Sequence, residues 1–203
     1  MSKTEQELIQ ESLKNSYSYA EYRALVSELS KEGKSTGPVQ TEDLTHYTQL
    51  NHSRMHRWDK TLKIPDAIAA KVKNLKTPIT FIVLTESWCG DAAPSVPVFH
   101  KLEGLTPFLK LRILLRDEHL ELMHRFLTNH TLSIPKVLFW DENAETVLAE
   151  WGSRPKEAAK MVKNYKEQHG ILTAAFRESL QKWYNKDKGQ STLQEVVALL
   201  PLE

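Results

Sequence analysis

Cys89 is the only cysteine of this 203-residue chain, and it lies between Trp88 and the pair Gly90 and Asp91. A cysteine thiolate attacks disulfides, and the fraction of thiolate depends on the pKa of the thiol. A strand-like apolar segment precedes Cys89 and a helical pattern follows it, so the positive end of a helix is expected to favour the thiolate. Asp91 opposes this effect, because a carboxylate repels a neighbouring thiolate. The sequence therefore predicts an exposed, reactive thiol with a modestly lowered pKa.

Three neighbours of Cys89 offer further chemistry. Asp91 is a candidate catalytic residue that would accept or donate a proton during thiol exchange, although acidic residues are also favoured in first helical turns. Trp88 either shapes a binding groove beside the thiol or fills the margin of the core. Glu86 would bring a second carboxylate close to Cys89, but a solvated strand end is the simpler interpretation.

Two histidines, His52 and His56, stand four residues apart on a predicted helix, a spacing that places both imidazoles on one face. No third ligand is evident, and the stretch lacks the glutamate of a zinc-protease motif, so the sequence predicts a solvated helix face and no metal site. Arg54, Arg57 and Lys60 make the same helix locally cationic. Their charge would stabilise a thiolate if this helix packed beside the cysteine.

Helical periodicity dominates the chain up to about residue 75, with a first helical region over 4–30, a second over 41–58 and a third beginning at Pro65. The pattern then changes to the short apolar run ITFIVLT, which is typical of a strand buried on both faces. The later predicted elements are a helix ending near Gly104, strands over 111–115, 136–140 and 146–150, and helices over 120–127, 156–168, 174–184 and 193–200.

The order of elements from residue 79 to 168 is strand, helix, strand, helix, strand, strand, helix, and Cys89 falls at the first strand-to-helix turn. This arrangement resembles the thioredoxin superfamily. Pro97 stands where that family has a proline in its active-site helix, Pro135 where it has a cis-proline facing the thiol, and Gly152 where it has a glycine after the last strand. The resemblance implies a mixed sheet flanked by helices over residues 76–168, with helical extensions over 1–75 and 169–203.

The family's redox motif has two cysteines separated by two residues, and here Ala92 replaces the second cysteine. The first cysteine of that motif attacks a disulfide and the second releases the product. The resemblance therefore implies thiol–disulfide exchange through Cys89 alone, with mixed disulfides formed to a protein or to a low-molecular-weight thiol. The alternative is a non-catalytic interaction module with a degenerate active site.

The same resemblance implies where a substrate would bind. Trp88 and Gly90 would border it on the cysteine side, and Ile134 and Pro135 would form the opposite wall. A cis bond before Pro135 would turn the Ile134 backbone toward the thiol, so that an extended peptide could pair with it.

The composition of the chain argues against several classes of binding partner. Lysines and arginines number 27 and acidic residues 26, a net charge of 27 − 26 = +1, so nucleic-acid binding is not expected. The longest apolar run is far too short for a membrane span. One cysteine forms no internal disulfide or multi-thiolate metal site, and the first residues lack the pattern of a secretory signal. We expect a cytoplasmic protein without a cofactor, and the oligomeric state stays open.

Overall fold

A four-stranded mixed sheet forms the centre of the computed structural model, which describes residues 3–202. The strands are β1 (Ile79–Thr85), β2 (Leu109–Leu115), β3 (Lys136–Asp141) and β4 (Thr146–Gly152). Their spatial order is β2-β1-β3-β4. β1 pairs in parallel with β2 and antiparallel with β3, and β3 and β4 form an antiparallel hairpin. The mixed sheet that the resemblance implies is confirmed.

Helices surround the sheet and extend the chain at both ends. Those within residues 3–202 are α1 (Glu5–Leu13), α2 (Tyr19–Glu32), α3 (Glu42–Thr61), α4 (Asp66–Lys73), α5 (Ala92–Glu103), α6 (Leu120–Arg125), α7 (Lys156–His169), α8 (Ala174–Asp187) and α9 (Gln190–Val197), with one short 3-10 turn at Arg116–Glu118. The first helical region is thus two helices, which begin with capping boxes at Thr4 and Ser18. No helix in these residues is both long enough and apolar enough to cross a membrane.

The central strands are buried because helices cover the sheet. All seven residues of β1 and all six of β3 are buried, as the mostly apolar sequence of β1 predicts. The edge strand β4 alternates between exposed and half-buried residues over most of its length. This arrangement places the carboxyl end of β1, and with it the turn that carries the cysteine, inside a shell of helices.

Gly152, the last residue of β4, lies directly against the segment before β3. Its φ angle is +131°, and a Cβ atom at this position would lie 2.2 Å from the carbonyl oxygen of Pro135. Such a separation is far below van der Waals contact, so only glycine fits here. The close approach fixes the segment around Pro135 against the hairpin.

Candidate active site

The cysteine turn and the segment before β3 face each other. The backbone N–H of Cys89 donates to the Glu86 carbonyl oxygen at 3.1 Å, which closes the turn after β1. The Cys89 thiol donates to the carbonyl oxygen of Ile134 at 3.3 Å. The peptide bond between Ile134 and Pro135 is cis. The structure brings Cys89 together with Ile134 and Pro135, and the Ile134 carbonyl oxygen accepts the hydrogen bond from the thiol.

The expectation of an exposed thiol with a lowered pKa is wrong. Cys89 is only 6% exposed, and burial, together with the nearby Asp91 carboxylate, raises the pKa of its thiol to about 12. The backbone N–H groups of Asp91 and Ala92 do favour the thiolate, as does Arg154, but they do not offset the loss of solvation. The helix N-terminus acts on the thiol as predicted, and desolvation outweighs it.

Asp91 belongs to a buried network instead of a solvated helical turn. Its carboxylate forms an ion pair with Arg154 at 2.6 Å and accepts a hydrogen bond from the Tyr184 hydroxyl at 2.9 Å. Burial raises the pKa of Asp91 in spite of these two partners. Both carboxylate oxygens are engaged while the thiol of Cys89 donates elsewhere. Asp91 therefore acts on Cys89 through its charge in this structure.

Residues of the C-terminal half complete the site, and sequence reasoning did not find them. Arg154 comes from the connection between β4 and α7, and Tyr184 comes from α8. The side-chain amide of Gln181, also on α8, donates to the Gly90 carbonyl oxygen at 2.9 Å. The expected C-terminal extension thus covers one side of the cysteine turn. The one signal in the sequence is that residues 154–188 are mildly basic, which indicates neither Tyr184 nor Gln181.

A pocket of about 470 Å³ opens at the cysteine, and Trp88, Gly90 and Ile134 line it. Trp88 is half-buried and its ring lies under the guanidinium of Arg116, 5.0 Å from the ring centroid. Trp88 also packs against the margin of the core, so both interpretations of this residue describe its position. Pro135 is buried and is not among the lining residues.

Glu86 does not lie at a solvated strand end, so that prediction is wrong. Its side chain is fully buried, and burial raises the pKa of the carboxyl group. The carboxylate accepts a hydrogen bond from the backbone N–H of Asp117 at 2.9 Å. The 3-10 turn after β2 therefore covers the end of β1, which excludes the water expected there.

Helix α3 packs beside the cysteine turn, which the sequence left open. The Asn51 side-chain amide donates to the Ser87 carbonyl oxygen at 2.9 Å, and its own oxygen accepts from Arg54 at 3.0 Å. Of the predicted cationic surface, only Arg54 lines the pocket, whereas Arg57 reaches Asn185 on another face.

His52 and His56 both lie on α3. Burial lowers the pKa of the half-buried His52, and His56 is exposed. Residues 3–202 contain no group of three histidine, cysteine or acidic side chains arranged to hold a metal ion.

Comparison with known proteins shows the family of this chain. The model of a family described as thioredoxin matches residues 37–166, more than half of the 203 residues. The chain belongs to the thioredoxin family. The matched region begins before the expected core and includes α3 and α4.

Two solved structures have a similar fold. A protein of unknown function from Pseudomonas aeruginosa has a TM-score of 0.59 and 18% sequence identity, over 90% of this chain and 96% of that chain. An HIV epitope scaffold has a TM-score of 0.56 and 19% identity, over 90% of this chain and 97% of that chain. At such identities the similarity concerns the fold alone. No curated protein sequence matched the chain.

Proposed function

We propose that this thioredoxin-family protein forms mixed disulfides through Cys89 and holds them, instead of turning substrate over rapidly. The observation that carries the proposal is the position of the Cys89 sulfur, which lines a pocket at the strand-to-helix turn and contacts Ile134. Backbone N–H groups of Asp91 and Ala92 favour negative charge on that sulfur. A disulfide bound in the pocket would lie next to this cysteine.

The exchange balances without an external oxidant. The Cys89 thiolate attacks one sulfur of a disulfide, the old sulfur–sulfur bond breaks, and the departing thiolate takes up the proton that Cys89 released. One disulfide has replaced another. An external thiol then has to attack the mixed disulfide, because Ala92 supplies no second sulfur.

The raised pKa of Cys89 determines the rates of both steps. Little thiolate is present at neutral pH, so attack on a disulfide is slow. A thiol of high pKa is also a poor leaving group, so expulsion of Cys89 from its mixed disulfide is slow as well. Burial of the Cys89 sulfur protects it from direct attack. These properties favour a long-lived adduct, and a lone reduced cysteine suits the reducing cytoplasm.

A second candidate function rests on the same raised pKa. A thiol that is buried and protonated is also what a non-catalytic binding module would contain, with its pocket retained for a partner. In that case Cys89 would behave as a small apolar side chain. The two candidates differ in whether the folded chain reacts at all.

Intact-mass measurement of Cys89 adducts separates the candidates. The folded protein is incubated with hydroxyethyl disulfide between about pH 7 and about pH 10, with Cys89→Ser as the negative control. We expect a single adduct whose formation rate rises through the whole range, because the pKa of the thiol lies above it. A folded chain that forms no adduct, while the urea-unfolded chain does, would support the binding module.

A further inference from the structure

Arginine side chains from four different parts of the fold line the pocket that contains the Cys89 sulfur. They are Arg54 on α3, Arg116 on the 3-10 turn, Arg154 after β4 and Arg177 on α8. Only two carboxylates, Asp43 and Asp91, line the same pocket. The lining therefore carries a net positive charge, although the whole chain is almost neutral.

Two of the four guanidinium groups are already neutralised by acidic side chains. Arg154 pairs with Asp91 at 2.6 Å, and Arg116 pairs with Asp117 at 2.7 Å. These pairs take part in building the walls of the pocket. Their charges are not available to attract a ligand strongly.

The other two guanidinium groups are oriented by neutral partners. Arg54 donates to the side-chain oxygen of Asn51 at 3.0 Å, and Arg177 donates to the Tyr47 hydroxyl at 3.0 Å. Neither forms an ion pair within residues 3–202. Asp43, on the same rim, is exposed in the first turn of α3 and pairs with neither. Two positioned positive charges without an acidic partner thus remain in the lining of the pocket.

We propose that the pocket selects low-molecular-weight disulfides and thiols that carry carboxylate groups, a specificity that rests on the thiol function proposed above. Guanidinium groups bind carboxylates through paired, charge-assisted hydrogen bonds. The volume of about 470 Å³ suits a small molecule. The hydrogen bond from Gln181 to Gly90 places α8 against the cysteine turn and so closes this part of the pocket wall.

The first test compares three disulfides of similar length and different charge. Dithiodipropionate is anionic, hydroxyethyl disulfide is neutral and cystamine is cationic at about pH 8. Each rate of adduct formation on the folded chain is divided by the rate for the urea-unfolded chain, which removes differences in intrinsic reactivity. We expect this normalised rate to be about 10-fold or more higher for the anionic disulfide than for the cationic one at low salt. The ratio should be smaller at high salt, because salt screens the arginine charges.

Matched arginine substitutions locate the effect. Arg54→Gln and Arg177→Gln should each lower the preference for the anionic disulfide by about 3- to 10-fold, because each removes one partly exposed charge pair. Arg57→Gln is the control, since Arg57 lies on the same helix as Arg54 but outside this pocket. Equal rates for the three disulfides, or an equal loss in Arg57→Gln, would overturn the proposal.

A binding measurement separates this specificity from the thiol chemistry. The Cys89→Ser chain cannot react, so calorimetry can compare the thioether thiodipropionate with its neutral diol analogue. We expect the dicarboxylate to bind at least about 5-fold more tightly, and Arg54→Gln to reduce this ratio while Arg57→Gln leaves it unchanged. That result would support a pocket that selects anionic ligands even if no adduct formed on Cys89. Equal affinities would overturn this selectivity even if adducts did form.

Discussion

Replacing Asp91 by asparagine should make Cys89 more reactive. The substitution removes a buried negative charge that raises the pKa of the Cys89 thiol, and it preserves the shape of the side chain. The asparagine oxygen can still accept the hydrogen bond from Tyr184. Arg154 loses its carboxylate partner, so its positive charge then acts on the thiolate without compensation.

The size of the effect follows from two opposing influences. A like charge close to an ionisable group shifts its pKa by about 1 to 3, so the thiolate fraction at neutral pH rises by about 10- to 1,000-fold. A less basic thiolate is also a weaker nucleophile, and the slope of about 0.4–0.5 in that relation removes nearly half of the gain on a logarithmic scale. The net increase in the rate is about 3- to 60-fold.

The assay is the second-order rate of iodoacetamide alkylation, followed by intact mass across a pH series. Asp59→Asn is a matched control, because Asp59 also accepts from a tyrosine, Tyr19, and pairs with an arginine, Arg23, but does not line the pocket. We expect Asp91→Asn to react faster at neutral pH and Asp59→Asn to match the unmodified protein. A folded Asp91→Asn protein with an unchanged or slower rate would refute the electrostatic role of Asp91.

Three further substitutions test residues that surround Cys89 or support the segments beside it. Gly152→Ala should lower the free energy of unfolding by about 1–3 kcal/mol in urea denaturation, more than the control Gly33→Ala, where an added Cβ contacts nothing within 4 Å. Glu86→Gln should flatten the fall in stability with rising pH: burial raises the pKa of Glu86 in the folded state, so its contribution is present below the unfolded pKa and is lost as pH rises through the folded pKa. Urea denaturation at a series of pH values checks this. If Glu86 does not contribute, the free energy of unfolding will depend on pH in the same way for the variant and the unmodified protein. Ala92→Cys should create a dithiol with Cys89 and confer disulfide reductase activity, whereas a folded, inactive variant would contradict the assigned geometry.

The sheet and the place of the cysteine could be predicted from local patterns. The apolar run of β1 is buried along its whole length, and the turn after it carries Cys89. The relation of Cys89 to Ile134 came from the resemblance to the thioredoxin superfamily, and these two residues are in contact. Local patterns located the strand and its turn, whereas the position of Ile134 beside the thiol needed the resemblance.

The electrostatics of the site could not be predicted, because they depend on residues far along the chain. Tyr184 follows Asp91 by 93 positions, and no local pattern indicates that α8 would cover the cysteine turn. The same covering buries Cys89 and raises its pKa. The sequence correctly indicated the helix N-terminus and the opposing charge of Asp91. It could not indicate how far the thiol is desolvated, and desolvation has the largest effect on its pKa.

The predicted cationic surface on α3 shows the same limit. Arg54 and Arg57 are three positions apart, and the helical pattern alone does not say which faces the cysteine. The hydrogen bond from Asn51 to Ser87 sets the rotation of α3, so Arg54 faces the pocket and Arg57 does not. The packing of α3 against the cysteine turn, which is distant in sequence, therefore determines which arginine lines the pocket.

The lifetime of the Cys89 mixed disulfide is the most direct test of a thiol that holds its adduct. The adduct with hydroxyethyl disulfide is prepared and purified, a small external thiol is added at about pH 8, and its release is followed by intact mass, with the urea-unfolded adduct as reference. We predict that the folded protein releases its adduct at least about 10-fold more slowly than the unfolded chain, because Cys89 is a poor leaving group and its sulfur is buried. Release at the same rate from the folded and unfolded chains would contradict the proposed function.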